Sequence, residues 1–225
     1  DYLAQACANG VPVGCEEINY ESYWNQSDPL RELEPACAKG DFSACFFAAG
    51  KRYPSLSLRP KTDAEMTRLE TYGTELRAIC EAGSKGACSD AARVARALGA
   101  LDAAERYAKV ACQMEVGAGC TVLGNLWKLS RGGEDGQKRA ISHYKSGCDL
   151  DSWAGCNNLG DSYEHGLGVT RDLARAQRLY SLACNKGLAL GCKNLSEAHE
   201  NGDPLKVKEA MALACKIDFS YCLKK

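Results

Sequence analysis

The sequence predicts an all-α protein, an α/α solenoid of helix pairs with one disulfide per repeat, on three observations. Its 14 cysteines fall into seven couples: Cys7/Cys15, Cys37/Cys45, Cys80/Cys88, Cys112/Cys120, Cys148/Cys156, Cys184/Cys192 and Cys215/Cys222. Successive couples begin 30 to 43 residues apart, and two consecutive steps are 36. A period of that size marks a stack of supersecondary units, each burying a face against its neighbour. The third observation is the company the cysteines keep. Three residues after the first of each couple come Gly10, Gly40, Gly83, Glu115, Asp151, Gly187 and Asp218. Directly before the second come Gly14, Ala44, Ala87, Gly119, Gly155, Gly191 and Tyr221. The Cys–Cys segment therefore reads as a turn that joins the second helix of one unit to the first helix of the next.

Taken in chain order, the units repeat this grammar with different clarity. The chain opens inside a second helix and reaches its first turn at Cys7–Cys15. The stretch EEINYESYWNQSDP that follows breaks the pattern. Between Cys45 and Cys80 the spacing is long, and Pro54 and Pro60 predict an extended inter-helix loop. The cleanest unit runs from Ala154 to Cys192. Leu159 and Tyr163 stand at helical spacing on a first helix, and Gly166, Gly168 and Val169 form a compact loop. Asp172 is suited to cap a second helix carrying Leu173, Ala176, Leu179, Tyr180 and Ala183. Gly187 falls where a left-handed glycine closes a helix, and Gly191 where a small residue lets the next helix approach. The chain ends just after Cys222, so both end units are incomplete within one solenoid spanning 1–225.

Composition narrows the function classes. The 225 residues carry a net charge of −1, which gives no basis for non-specific attraction to nucleic acid or anionic membrane. No apolar run approaches the length of a transmembrane helix. The sequence starts at Asp1 without an initiator Met, read as the start of a processed product. An even number of regularly spaced cysteines marks a disulfide framework and an oxidising compartment. Zinc ligands usually stand two to four residues apart and often include His, and the three His do not accompany the couples. No C-x-x-C redox motif occurs, and no metal or cofactor is expected. Each short disulfide loop removes unfolded-chain entropy of about 2–3 kcal/mol.

The chain resembles the Sel-one-like repeat family, and within it the cysteine-rich secreted branch similar to the Helicobacter cysteine-rich proteins. The resemblance is carried by Leu159-Gly160, Tyr163, Gly166-Leu167-Gly168-Val169, Asp172, Ala176, Tyr180, Ala183-Cys184, Gly187 and Gly191-Cys192. A second unit carries Leu123-Gly124, Trp127, Ala140, Tyr144, Cys148 and Gly155-Cys156. It implies a TPR-like solenoid that binds another protein, a toxin or effector in the case of periplasmic immunity proteins directed at type VI secretion phospholipases. It also implies two alternatives. One is a penicillin-binding protein or weak β-lactamase; the other is an assembly factor of the mitochondrial intermembrane space.

The enzymatic alternative has one motif to stand on. Ser142-His143-Tyr144-Lys145 reads S-x-x-K, but Ser89-Asp90-Ala91 and Lys61-Thr62-Asp63 only partly echo the S-D-N and K-T-G partners. Tyr144 aligns with Tyr180 and should face the core, leaving Ser142 on a solvated helix face. His199 aligns with Tyr163 and Trp127 in a packing position, and neither His143 nor His165 has a repeated carboxylate partner. No catalytic residue is assigned, and the protein is not read as an enzyme. Asn25-Gln26-Ser27 and Asn194-Leu195-Ser196 match glycosylation sequons, but Asn194 aligns with Asn158 inside a first helix.

What remains is surface. The concave face of a helix-pair solenoid, lined by first helices, is a common docking site, and aromatic residues enrich interface hot spots. Tyr20, Tyr23 and Trp24 cluster where the repeat grammar lapses, and Tyr53 and Trp153 stand outside the obvious core positions. These five are the candidate partner-binding residues, on the concave or N-terminal surface of a chain expected to be a monomer. The compartment expected is the periplasm or the secreted space.

Overall fold

A computed structural model describes residues 58–130, 133–198 and 204–218, together with Cys37, Cys45, Ala48, Ala49, Arg52 and Tyr221. The described residues form helices and turns, with no strand among them. The helices are α1 (Asp63–Glu81), α2 (Lys85–Ala97), α3 (Leu101–Gln113), α4 (Gly117–Ser130), α5 (Gly133–Asp149), α6 (Trp153–His165), α7 (Leu173–Asn185), α8 (Ala189–Ala198) and α9 (Pro204–Ile217). By contact the described residues up to Val122 form one compact unit and those from Leu123 onward a second. In the first, α1 packs on α2 and α2 on α3. In the second, α5 packs on α6, α6 on α7, α7 on α8 and α8 on α9, while α6 also touches α8 and α7 touches α9. Packing between sequence neighbours and between alternate helices is the pattern of an α/α solenoid.

Local chemistry sets the helix ends. The Thr62 hydroxyl accepts from the Glu65 N–H at 3.2 Å and starts α1 after Pro60. Pro54 lies outside the described residues. Asp172 caps α7 as its sequence position foretold, its carboxylate accepting from the Arg175 N–H at 2.9 Å. α6 stops at Gly166, whose φ of 67° lies in the left-handed region.

The turns between units share one geometry. The residue three after the first cysteine has positive φ at the four turns from Cys80 to Cys192, Gly83 at 107°, Glu115 at 62°, Asp151 at 58° and Gly187 at 91°, while Asp218 after Cys215 does not. The next N–H then reaches back five residues, from Ser84 to Ile79 O, Val116 to Ala111 O, Ser152 to Gly147 O and Leu188 to Ala183 O. This is the Schellman closure of a helix C-terminus, which satisfies carbonyls that would otherwise lack partners. Immediately beyond it the disulfide closes. Cys37–Cys45, Cys80–Cys88, Cys112–Cys120, Cys148–Cys156 and Cys184–Cys192 all bridge Cα atoms 4.5 or 4.6 Å apart. Cys215 is also disulfide-bonded; Cys7, Cys15 and Cys222 lie outside the described residues. Close approach across the turn explains the small residue before the second cysteine. A Cβ on Gly119 would come within 2.4 Å of Ala111 Cβ, and one on Gly191 within 2.8 Å of Ala183 Cβ.

The core of the second unit is built on two tyrosines. Tyr144 and Tyr180 are each 1% exposed, as the alignment required of Tyr144. Each ring lies against a glycine of the preceding first helix: a Cβ on Gly124 would meet Tyr144 at 2.4 Å, and one on Gly160 would meet Tyr180 at 2.8 Å. The Leu-Gly pairs of the repeat thus provide the seat for an aromatic ring. Ala140 and Leu159 complete the cluster around Tyr144, with Trp127 and Tyr163 packed partly against it.

Candidate functional site

The polar chemistry of the second unit gathers on its first helices. The Tyr144 hydroxyl donates to Asn125 Oδ1 at 2.9 Å, and the Asn158 amide donates to the same oxygen at 3.0 Å. One step along, the Asn194 amide donates to Asn157 Oδ1 at 2.9 Å. These bonds link α4 to α6 and α6 to α8. Lys128 adds an ion pair to Asp161 at 2.8 Å, and His165 Nδ1 lies 3.2 Å from the other Asp161 oxygen. On α8, Lys193 pairs with Glu197. Charge on this face is thus largely neutralised in place. The amides are only half used: the Asn125 nitrogen and the Asn158 oxygen have no hydrogen bond within the described residues. Both side chains are half-buried, so these atoms stand in a fixed place with donor and acceptor capacity to spare.

Behind this face the tyrosines are tied to it. Tyr180 donates to Glu164 at 2.7 Å, and burial together with that carboxylate pushes its pKa well up. The same unit holds two stacked aromatic–guanidinium pairs, with Arg139 Cζ 4.6 Å from the Trp127 ring centre and Arg175 Cζ 4.7 Å from that of Tyr163.

In the first unit the polar features are fewer and more enclosed. Asp90 on α2 pairs with Arg93 at 2.9 Å; burial raises its pKa and Arg93 opposes the rise. Tyr72 on α1 is raised too, by burial first and by the Asp90 charge second. An apolar recess of about 160 Å³ opens among α1, α2 and α3, lined by Gly73, Val94 and Leu98 together with Glu70, Thr74 and Arg77. No cluster of His, Cys, Asp and Glu suited to a metal occurs among the described residues.

The partner-binding residues named from the sequence meet different ends. Tyr20, Tyr23, Trp24 and Tyr53 lie outside the described residues. Trp153 does not stand outside the core: it is 6% exposed, packed with Cys156 and Ala183 at the first turn of α6, with the Lys186 ammonium 5.2 Å from its ring centre. Its equivalents in the neighbouring turns are Gly117 and Ala189, so the alignment gave no sign that this turn holds an indole. Ser142 and Lys145 are both exposed on α5, and Lys145 is 3.8 Å from Asp149. His199 lies outside the described residues. The sequence reading missed the first-helix amides, although Asn158 and Asn194 are aligned across the repeat.

A stack of disulfide-closed helix pairs with a polar, pre-bonded first-helix face defines a class, that of helical-repeat scaffolds. The Sel1 repeat family matches residues 153–188 of the chain. No curated protein matches the sequence. Among solved structures, the chain is similar to a Sel1 repeat protein from Oxalobacter formigenes, with 17% identity and a TM-score of 0.68 over 83% of this chain and 75% of that one. It is also similar to c5321, a protective antigen of uropathogenic Escherichia coli displaying an SLR fold, with 18% identity and a TM-score of 0.63 over 90% of this chain. The match spans 44% of that antigen's length. The chain therefore carries a Sel1 repeat and has the SLR fold, and its disulfides support the cysteine-rich branch. No described helix is long and apolar enough to cross a membrane.

Proposed function

We propose that the protein is a non-enzymatic scaffold of an oxidising compartment that acts by binding another protein. The observation that carries this reading is the first-helix face of α4, α6 and α8. Its charges are paired, its side chains are fixed by neighbours, and its amides keep unused donors and acceptors. Such a surface is preorganised, so little side-chain entropy is lost when a partner docks. The paired charges disfavour a polyanion, which needs several free cations. The most specific form of the reading is a periplasmic immunity protein that occludes a type VI phospholipase effector, and it rests on the family resemblance alone.

The test is affinity capture from the periplasm of the source cells, using the oxidised protein beside an Asn125→Ala/Asn158→Ala variant of equal helix content. A partner held by the native protein and released by the variant supports the scaffold reading. Recovery of no specific partner, or equal recovery by both, overturns the assignment to this face. The immunity form further requires that deletion beside the toxin gene cost viability; unchanged viability removes it.

A further inference from the structure

The two stacked pairs of the second unit occupy the same repeat positions but are completed differently. Trp127 and Tyr163 are 36 positions apart, as are Arg139 and Arg175. Around Tyr163 the arrangement is closed. Arg175 donates to the Tyr163 hydroxyl at 2.7 Å, and its Nε lies 3.7 Å from the Asp172 carboxylate. Around Trp127 the ring is present and, among the described residues, the acid is missing. The position equivalent to Asp172 is Gly136, and indole carbon and nitrogen offer no acceptor in place of the tyrosine oxygen. The nearest acids on α5 do not supply one: Glu134 is paired with Lys138, and Asp135 makes no ion pair with Arg139. Arg139 is exposed, and among the described residues its contact is the ring.

We infer that Arg139, seated on Trp127, binds an acidic side chain of the protein partner. The inference rests on the protein-binding reading above and deepens it. A guanidinium placed over the face of an indole leaves its N–H groups available, and that planar fork matches a carboxylate in a bidentate fashion. Stacking limits the rotamers the side chain must give up on binding, the feature that makes Arg and Trp frequent hot-spot residues. A single seated guanidinium suits one planar carboxylate, since the adjacent Lys138 is already engaged.

The test uses the full oxidised chain labelled with ¹⁵N, observing arginine Nε–H signals while a blocked peptide containing adjacent Asp and Glu is added. The Asn/Gln version of the peptide is the control. The Arg139 signal is identified by its loss in Arg139→Lys. It should shift saturably with the acidic peptide and not with the amide peptide, and more strongly than the exposed Arg178, which has no aromatic seat among the described contacts. Trp127→Leu should weaken the Arg139 response about two- to five-fold, the range of an exposed cation–aromatic contact, while Trp127→Tyr should retain most of it. Should Trp127→Leu fail to fold, Trp127→Tyr still reports at the Arg139 signal, and weaker binding of the acidic peptide by Arg139→Lys, read by titration calorimetry, still separates the planar fork from charge alone. Equal shifts at Arg139 and Arg178, or equal responses to both peptides, overturn the inference. A partner captured undiminished by Arg139→Ala likewise removes this anchor and leaves the scaffold reading standing; the absence of any partner defeats the scaffold reading itself.

Discussion

The turns closed by Cys148–Cys156 and Cys184–Cys192 have the same backbone and different contents. Both bridge Cα atoms 4.5 Å apart, and both place the residue three after the first cysteine at positive φ. In each, the following N–H bonds the carbonyl five residues back, at 2.8 Å from Ser152 and 3.0 Å from Leu188. Yet one turn reaches this geometry with Asp151 and seats Trp153, and the other uses Gly187 and Ala189. The difference teaches that bond and backbone closure dictate the turn, while its side chains are free to be small or large provided the space behind them is filled. The indole, carried on the first turn of α6, fills its space against Ala183 and Leu179 of α7.

The largest effect should come from emptying that space. Trp153→Ala removes an almost fully buried indole and should cost about 3–5 kcal/mol, read as a fall in the urea midpoint of helix loss. A cost below about 1 kcal/mol would mean that the turn collapses around the void and that Trp153 is not structural. Next comes the bond itself. The Cys148→Ala/Cys156→Ala and Cys184→Ala/Cys192→Ala variants should each lose about 2–3 kcal/mol, because the closed loops are of equal length. A much smaller loss at the Trp153 turn would show that packing there already holds what the bond holds elsewhere. Helix loss must be followed locally, since repeat arrays need not unfold in one step.

The part of this geometry that was legible in the sequence is the part with a fixed spacing. The cysteine couples, the left-handed residue at Gly187, the cap at Asp172 and the inward face of Tyr144 all sit at constant offsets from the repeat, and alignment finds them. Trp153 was misread because its equivalents, Gly117 and Ala189, are small, and alignment transfers an environment without its volume. The glycine seats at Gly124 and Gly160 were visible as conserved letters of the repeat but not as contacts, because a ring-to-backbone approach depends on how deeply two helices nest. The first-helix links were hidden for a related reason. Asn158 bonds Asn125 across 33 positions and Asn194 bonds Asn157 across 37, neither of them the 36-residue period. Stacked helices touch at residues staggered along their axes, so the partners of a repeat position are not its equivalents. The aromatic cluster Tyr20, Tyr23 and Trp24 remains a proposal for partner contact, drawn from the lapse in the pattern.

The smallest effect isolates the backbone demand from the bond. A non-glycine residue in the left-handed region costs about 1–2 kcal/mol, although Asp tolerates it better than most because its short carboxylate can bond locally. Glycine escapes that cost but loses more freedom on folding, by about 0.5–1 kcal/mol. Gly187→Ala should therefore destabilise by about 1 kcal/mol, while Asp151→Gly should be neutral or stabilise by up to about 1 kcal/mol. No side chain crowds the site to obscure the result, since a Cβ on Gly187 meets nothing within 4 Å. Opposite signs, measured with both disulfides intact, would show that the positive φ belongs to the turn and not to the residue occupying it. Equal losses at the two positions would instead assign Asp151 a side-chain role, and the two turns would then differ in more than what they enclose.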